Sequence, residues 1–229
     1  MILNRMNLFE IVYTITALIT ALGTTFLGCL VYFRNRKGKV NKSYALISLS
    51  VAIWSYGLFF CFVSSGISAL YWARFLHIGA IFIPITFFYF VLTLLKIVNQ
   101  KKKILTLGLI ASLILLIFDS TSLLIKEIQP KFNFRIWPVP GIIYPLFLLF
   151  FFIYIVYAWI LVFKQYRKSS DFALKNQLKY ILIGSAIGFL GGSTNYPLFY
   201  NIQVPPVGNL FVFFYIVLFA YAIIRYRLM

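Results

Sequence analysis

Apolar residues gather in seven long runs, and the polar residues collect in the short gaps between them. The runs are Glu10 to Phe33, Tyr44 to Ser64, Ala69 to Leu95, Ile104 to Ile125, Ile142 to Phe163, Tyr180 to Tyr200 and Gly208 to Ile224. Most reach the ~20 residues that carry a helix, at 1.5 Å per residue, across a hydrocarbon core about 30 Å thick; only the last is short. In lipid every backbone amide needs a partner within its own element. The runs also lack the ~10-residue alternation of a membrane barrel, so helices are predicted throughout. The fold class is therefore all-α: a polytopic membrane protein built as a seven-transmembrane-helix bundle. The short gaps leave no space for a soluble module, so residues 1–229 read as one domain without internal repeats.

Composition agrees with this picture. Apolar residues make up 62% of the chain and only four residues are acidic, which excludes an ordinary soluble domain. A net charge of +17 would suit a nucleic-acid partner in another context. Here the charge is topological. Sixteen of the 21 Lys and Arg residues lie in alternate gaps: Arg34 to Lys42, Lys96 to Lys103, Lys164 to Lys179, and Arg225 with Arg227. The opposite side keeps only Arg5, Arg74, Lys126, Lys131 and Arg135. The positive-inside bias then puts the amino terminus outside and the carboxy terminus in the cytoplasm. The expected partners are the bilayer itself, anionic lipids of the inner leaflet, and no nucleic acid. The first run is too long, and lacks a cleavage site close behind it, to be a removable signal. Cys29 and Cys61 fall in opposite leaflets, which precludes a disulfide or a shared metal.

Ionisable groups within the runs are costly and invite explanation. Arg74 and His77 share a face of the third run, roughly 7 and 12 Å from its outer end. Asp119 on the fourth run lies about 9 Å from that run's outer end, and Asn195 on the sixth comes to a similar depth. One reading makes these four an outward-facing ligand cavity. The other makes Arg74 and Asp119 a structural ion pair with His77 hydrogen-bonded beside it, and a third lets Arg74 snorkel to the headgroups. Pro84 is expected to kink the third run at mid-membrane. Gly184, Gly188 and Gly192 clear a stripe for close helix packing, which points to the sixth run as the centre of the bundle. The fifth run, bulky on every face, is expected at the lipid-facing periphery. The gap KEIQPKFNFRIWPVPG (Lys126 to Gly141) suits either a cap at the interface or a plain belt of anchoring aromatics.

No Lys lies within the seventh run, so a retinal Schiff base has no anchor. One His and one deep Asp cannot build a zinc site, an aspartyl dyad or a Ser-His-Asp triad, and no glycine-rich phosphate loop is present. The expectation is a protein without catalytic residues, metal or cofactor.

Several stretches carry a resemblance: AIWSYGLFF (Ala52 to Phe60), YWARFLHIGAIFIP (Tyr71 to Pro84), NQLKYILIGSAIGFLGGSTNY (Asn176 to Tyr196), VPPVGN (Val204 to Asn209) and YAIIRYRLM (Tyr221 to Met229). In their order, spacing and position on the helices, the chain resembles the amino-terminal seven-helix membrane region of bacterial sensor histidine kinases along essentially its whole length. That resemblance implies an input module in the bacterial cytoplasmic membrane, joined at its inner end to cytoplasmic signalling domains in cis or in trans, with a homodimer left open. It supplies no ligand and no catalytic residues. The leading expectation is thus a signal-input domain that relays a stimulus through its seventh helix. The alternative is a small seven-helix solute transporter, although such carriers usually show paired repeats and midplane sites that are not seen here. A membrane enzyme ranks third.

Overall fold

A computed structural model describes residues 6–225, apart from the side chains of 216, 220 and 222–225. Arg5, Arg227 and Met229 lie outside the described residues, as does the Arg225 side chain. The helices are α1 (Leu8–Arg34), α2 (Lys39–Val63), α3 (Gly66–Leu94), α4 (Lys102–Asp119), α5 (Tyr144–Lys168), α6 (Phe172–Ser193), the single turn α7 (Tyr196–Phe199) and α8 (Val212–Arg225). Four of them, α1, α2, α3 and α5, are long and apolar enough to cross a membrane. The others fall short for visible reasons: α4 carries Lys102, Lys103 and Asp119 within 18 residues, α6 opens on a polar third, and α8 has 14 residues after a 3-10 turn at Val207–Phe211. Two helix starts follow capping chemistry. The Asn7 side chain accepts the Glu10 N–H at 2.9 Å, and Asp171 accepts from Ala173 and Leu174.

Two apolar runs end sooner than their composition suggests. The fourth stops being helical at Asp119 and the sixth at Ser193, after which the chain turns. The departure from helix is a hairpin, β1 (Ile125–Lys131) paired antiparallel with β2 (Phe134–Pro140) in the register Ile128↔Pro138 and Gln129↔Trp137. It occupies the outer gap expected to form a cap. Its two-residue turn places Phe132 at φ 51, left-handed backbone that a bulky residue rarely adopts.

The centre of the bundle is α3, which corrects the expectation that the sixth run holds that place. In its most apolar stretch 72% of α3 is buried, against 56% for α2, 39% for α1 and 33% for α5. Phe87, Phe88 and Phe90 are sealed completely. The peripheral position expected of the fifth run agrees with α5 being the least buried of the four. Pro84 lies buried within α3 and the helix runs on to Leu94, with the Ala80 carbonyl deprived of its usual N–H partner.

Glycines set several close approaches, two of which hold helix pairs of the bundle together. At α2 against α3, a Cβ on Gly79 would fall 2.4 Å from the Trp54 nitrogen and 2.5 Å from the Ser50 carbonyl oxygen. At α6 against α8, a Cβ on Gly188 would fall 2.6 Å from the Tyr215 ring and one on Gly184 3.0 Å from Phe219; against the 3-10 turn before α8, one on Gly191 would fall 2.5 Å from the Gly208 carbonyl. The packed stripe is therefore Gly184, Gly188 and Gly191. Gly192 is turned away, with Val212 at 4.0 Å its nearest neighbour, because a helix advances about 100° per residue and spacings of four then three keep to one face.

Gly79→Leu is expected to destabilise the bundle by roughly 1 to 3 kcal/mol, since the atoms in its way are backbone and cannot rotate aside. Leu190→Ile, at a side chain 61% exposed, is expected to be neutral. Thermal unfolding of the two variants in detergent checks the difference.

Candidate functional site

The hairpin is tied down by cations. Arg135 on β2 donates from Nε to the Glu10 carboxylate at 3.1 Å and from Nη2 to the Phe62 carbonyl at 3.2 Å. Glu10 is wholly buried at the start of α1. Lys131 on β1 donates to the Phe199 carbonyl at 2.7 Å, and burial holds its ammonium pKa below the usual lysine value. Arg74 on α3 donates to the Ser120 carbonyl at 2.9 Å and, at 3.5 Å, to that of Ile125 at the start of β1. Asn7 donates to the Asn133 carbonyl at the hairpin turn.

These acceptors share a logic. Phe62, Ser120 and Phe199 sit at the carboxy-terminal ends of α2, α4 and α7, where carbonyls lack intrahelical partners and the helix dipole is negative. Three of the five cations expected on the outer side therefore satisfy helix ends. Arg74 and Asp119 form no ion pair. Among the described residues the ion pairs are Glu10 with Arg135 and Lys126 with Glu127. Arg74 is committed to carbonyls instead, its Nε is buried without a partner, and Asp119, the last residue of α4, is buried with Oδ1 unpartnered.

Beneath the hairpin lies a cavity of about 70 Å3 walled by α1, α2, α3, α5, α6, α7 and α8, with Trp137 and Pro138 of β2 closing it above. Of the four residues expected to share a polar layer, His77 and Asn195 line this cavity; Arg74 and Asp119 do not. His77 Nδ1 lies 2.6 Å from the Ala73 carbonyl, which can only accept, so the proton sits on Nδ1. Nε2 is then free to accept from the Tyr144 hydroxyl at 3.4 Å. Asn195 accepts from the Tyr13 hydroxyl at 2.6 Å and donates to the Gly192 carbonyl at 2.9 Å and to Asn209 Oδ1 at 3.3 Å. Tyr144 stacks on Phe199 with ring centroids 4.8 Å apart.

The sequence reading did not single out Tyr13, Tyr144, Trp137 or the Glu10 to Arg135 pair. In a chain that is 20% aromatic a lining ring has no distinguishing mark, and 125 residues separate the two charges. Glu10 did carry a signal, as one of four acidic residues and the one at the head of an apolar run. Among the described residues no group of three or more His, Cys, Asp or Glu is placed to hold a metal ion.

A family model of the N-terminal 7TM region of histidine kinase matches residues 16–229. The chain belongs to that family. No curated protein and no solved structure matches it. A histidine-kinase 7TM region is a membrane segment rather than a catalytic domain.

The buried pair at the hairpin generates a test. Glu10→Gln and Arg135→Gln should each lower stability by roughly 3 kcal/mol, because each leaves a charge without its partner. The double variant is expected to recover a large part of that loss. Thermal unfolding of the four proteins checks it; simple addition of the two losses would mean that the side chains act independently.

Proposed function

We propose that residues 1–229 form one sensor domain of a histidine-kinase-type signalling protein, crossing the bacterial cytoplasmic membrane seven times with the hairpin outside and the carboxy-terminal end of α8 in the cytoplasm. The cavity beneath the hairpin receives the stimulus. A cytoplasmic output domain, in cis or in trans, reads it through α8. The observation that carries this reading is the position of α8 itself. Val212 and Tyr215 belong to the cavity wall, and Tyr215 packs where a Cβ on Gly188 would stand, so a change in the cavity acts directly on the last helix and its contact with α6.

Orientation is supported by charge. Sixteen cations against five, together with the tethering of Arg74, Lys131 and Arg135 at one end of the bundle, favour that end as the outer one. His77 and Asn195 form the polar part of the input site. Arg74 supports the hairpin rather than touching a ligand, and Asp119 adjoins the site from the end of α4.

Single cysteines at Lys37, Lys102, Lys168 and Lys126, in a background without Cys29 and Cys61, test the orientation on intact cells with an impermeant thiol reagent. Labelling is expected at 126 alone, whose side chain is 64% exposed. Labelling at 102 with silence at 126 would invert the arrangement.

A fusion of residues 1–229 to a kinase module tests the relay. Tyr215→Ala and His77→Gln are expected to shift resting autophosphorylation by roughly fivefold or more, the scale of a modest coupling between two sites. Arg74→Gln should act mainly on stability. Unchanged output from folded Tyr215 and His77 variants would separate the cavity from signalling.

A further inference from the structure

The end of the bundle opposite the hairpin is crowded with cations, from Arg34 to Lys42, Lys96 to Lys103 and Lys164 to Lys179. Among the described residues none of them is in an ion pair, since the two such pairs, Glu10 with Arg135 and Lys126 with Glu127, belong to the hairpin end. The acidic residue at the cationic end is Asp171, and its carboxylate caps α6 by accepting from Ala173 and Leu174.

Three of these cations gather on α5. Lys101, at the start of α4, lies over the Tyr157 ring with Nζ 5.8 Å from its centroid; Lys175, in the first turn of α6, lies over Tyr166 at 5.4 Å; Arg167 of α5 itself lies over Phe163 at 6.0 Å. The Tyr154 hydroxyl donates to the Ile104 carbonyl at 2.9 Å and holds the start of α4 against α5. At about 100° per residue, Tyr157 and Tyr166 fall on opposite sides of α5 with Phe163 between them. Cations from α4 and α6 thus flank the one that α5 supplies.

The face they flank is the one that meets lipid. Val156, Ile160 and Phe163 are exposed, and their spacing of four then three residues keeps them on one stripe of α5, of which Arg167 is the next position. Arg74 and Arg135 are spent on carbonyls and a carboxylate, whereas the Arg167 guanidinium leans on a ring and has no hydrogen-bond partner among the described residues. Its N–H groups are left for an anion from outside the protein, and their planar fork suits a phosphate.

We propose that this end of α5 is a headgroup site for an anionic phospholipid, with the phosphate on Arg167, Lys101 and Lys175 to either side, and an acyl chain along Val156, Ile160 and Phe163. The expected attraction of the basic side for anionic lipid thereby gains a place in the fold. An acidic protein segment would satisfy the cations but has no use for the apolar stripe that leads up to them. The site is separate from the cavity and independent of its role.

The test uses the purified chain, residues 1–229, in nanodiscs of phosphatidylglycerol and phosphatidylcholine in equal amounts. The photocrosslinker p-benzoylphenylalanine is placed at Ile160 or at Leu149, two exposed positions toward opposite ends of α5. Mass spectrometry of the captured lipid is expected to show phosphatidylglycerol in about fivefold excess at Ile160, the scale of one basic side chain near an anionic surface, and no preference at Leu149. Lys101→Gln, Arg167→Gln and Lys175→Gln combined should bring the ratio at Ile160 to that at Leu149. Lys37→Gln, on the turn between α1 and α2, should leave it in place. Unfolding midpoints in pure phosphatidylcholine report folding of each variant; should the triple variant unfold, Arg167→Gln alone, at an exposed side chain, is expected to lower the excess about twofold. Inorganic phosphate at matched ionic strength should not displace the lipid. Equal capture of the two lipids at Ile160, an excess that survives the substitutions, or one that inorganic phosphate abolishes would each overturn the proposal. Binding of a decaglutamate peptide that the triple variant loses, without any lipid preference at Ile160, would overturn it in favour of an acidic protein segment.

Discussion

A carboxylate sealed from solvent, Glu10, and the guanidinium of Arg135 that reaches it hold the hairpin end of the molecule together. A two-stranded ribbon is marginal in isolation. This one is ordered because its cations find anions and helix-end carbonyls below it: Arg135 on Glu10 and Phe62, Lys131 on Phe199, with Arg74 rising from α3 to Ile125. Alternation of the chain makes this possible. The carboxy-terminal ends of α2, α4 and α7 all lie beneath the hairpin, so the negative ends of helix dipoles face the side where cations are scarce, and the few present there are put to structural use. The hairpin in turn brings Trp137 and Pro138 to the cavity.

The helical runs were legible because length and apolarity are the membrane's own demands. The interior arrangement was not. In lipid a Phe in the core and a Phe on the outside meet equally apolar surroundings, so α3, with Phe87, Phe88 and Phe90 buried, and α5, with Leu146, Leu149 and Ile153 exposed, read alike. The glycines of α6 drew attention by periodicity, whereas the tight α2 to α3 contact depends on Gly57 and Gly79, one on each helix. The hairpin escaped notice for a different reason. Pro130, Pro138 and Pro140 argue against strand, and Phe132-Asn133 is not a turn sequence that hairpins favour.

For the site, rarity was the useful guide. His77 and Asn195 stood out among apolar neighbours and do line the cavity, but depth alone could not separate them from Arg74 and Asp119, which share their layer without lining it. What distinguishes the pairs is the direction each side chain takes. Arg74 is drawn to the carbonyls that follow α4, and those carbonyls exist only because the helix stops at Asp119, six residues before the apolar run does.

The distance in sequence between Glu10 and Arg135 has a consequence for biogenesis. A chain synthesised from its amino terminus at ~5 to 20 residues per second makes residue 135 roughly 6 to 25 s after residue 10. Throughout that interval α1 carries a carboxylate with no guanidinium to meet it, and water at the headgroup level is the solvent that can accommodate it. Closure of that end therefore waits on the fourth helix and the hairpin, and the first helix takes its final depth only after α2, the neighbour it packs on most, has been inserted.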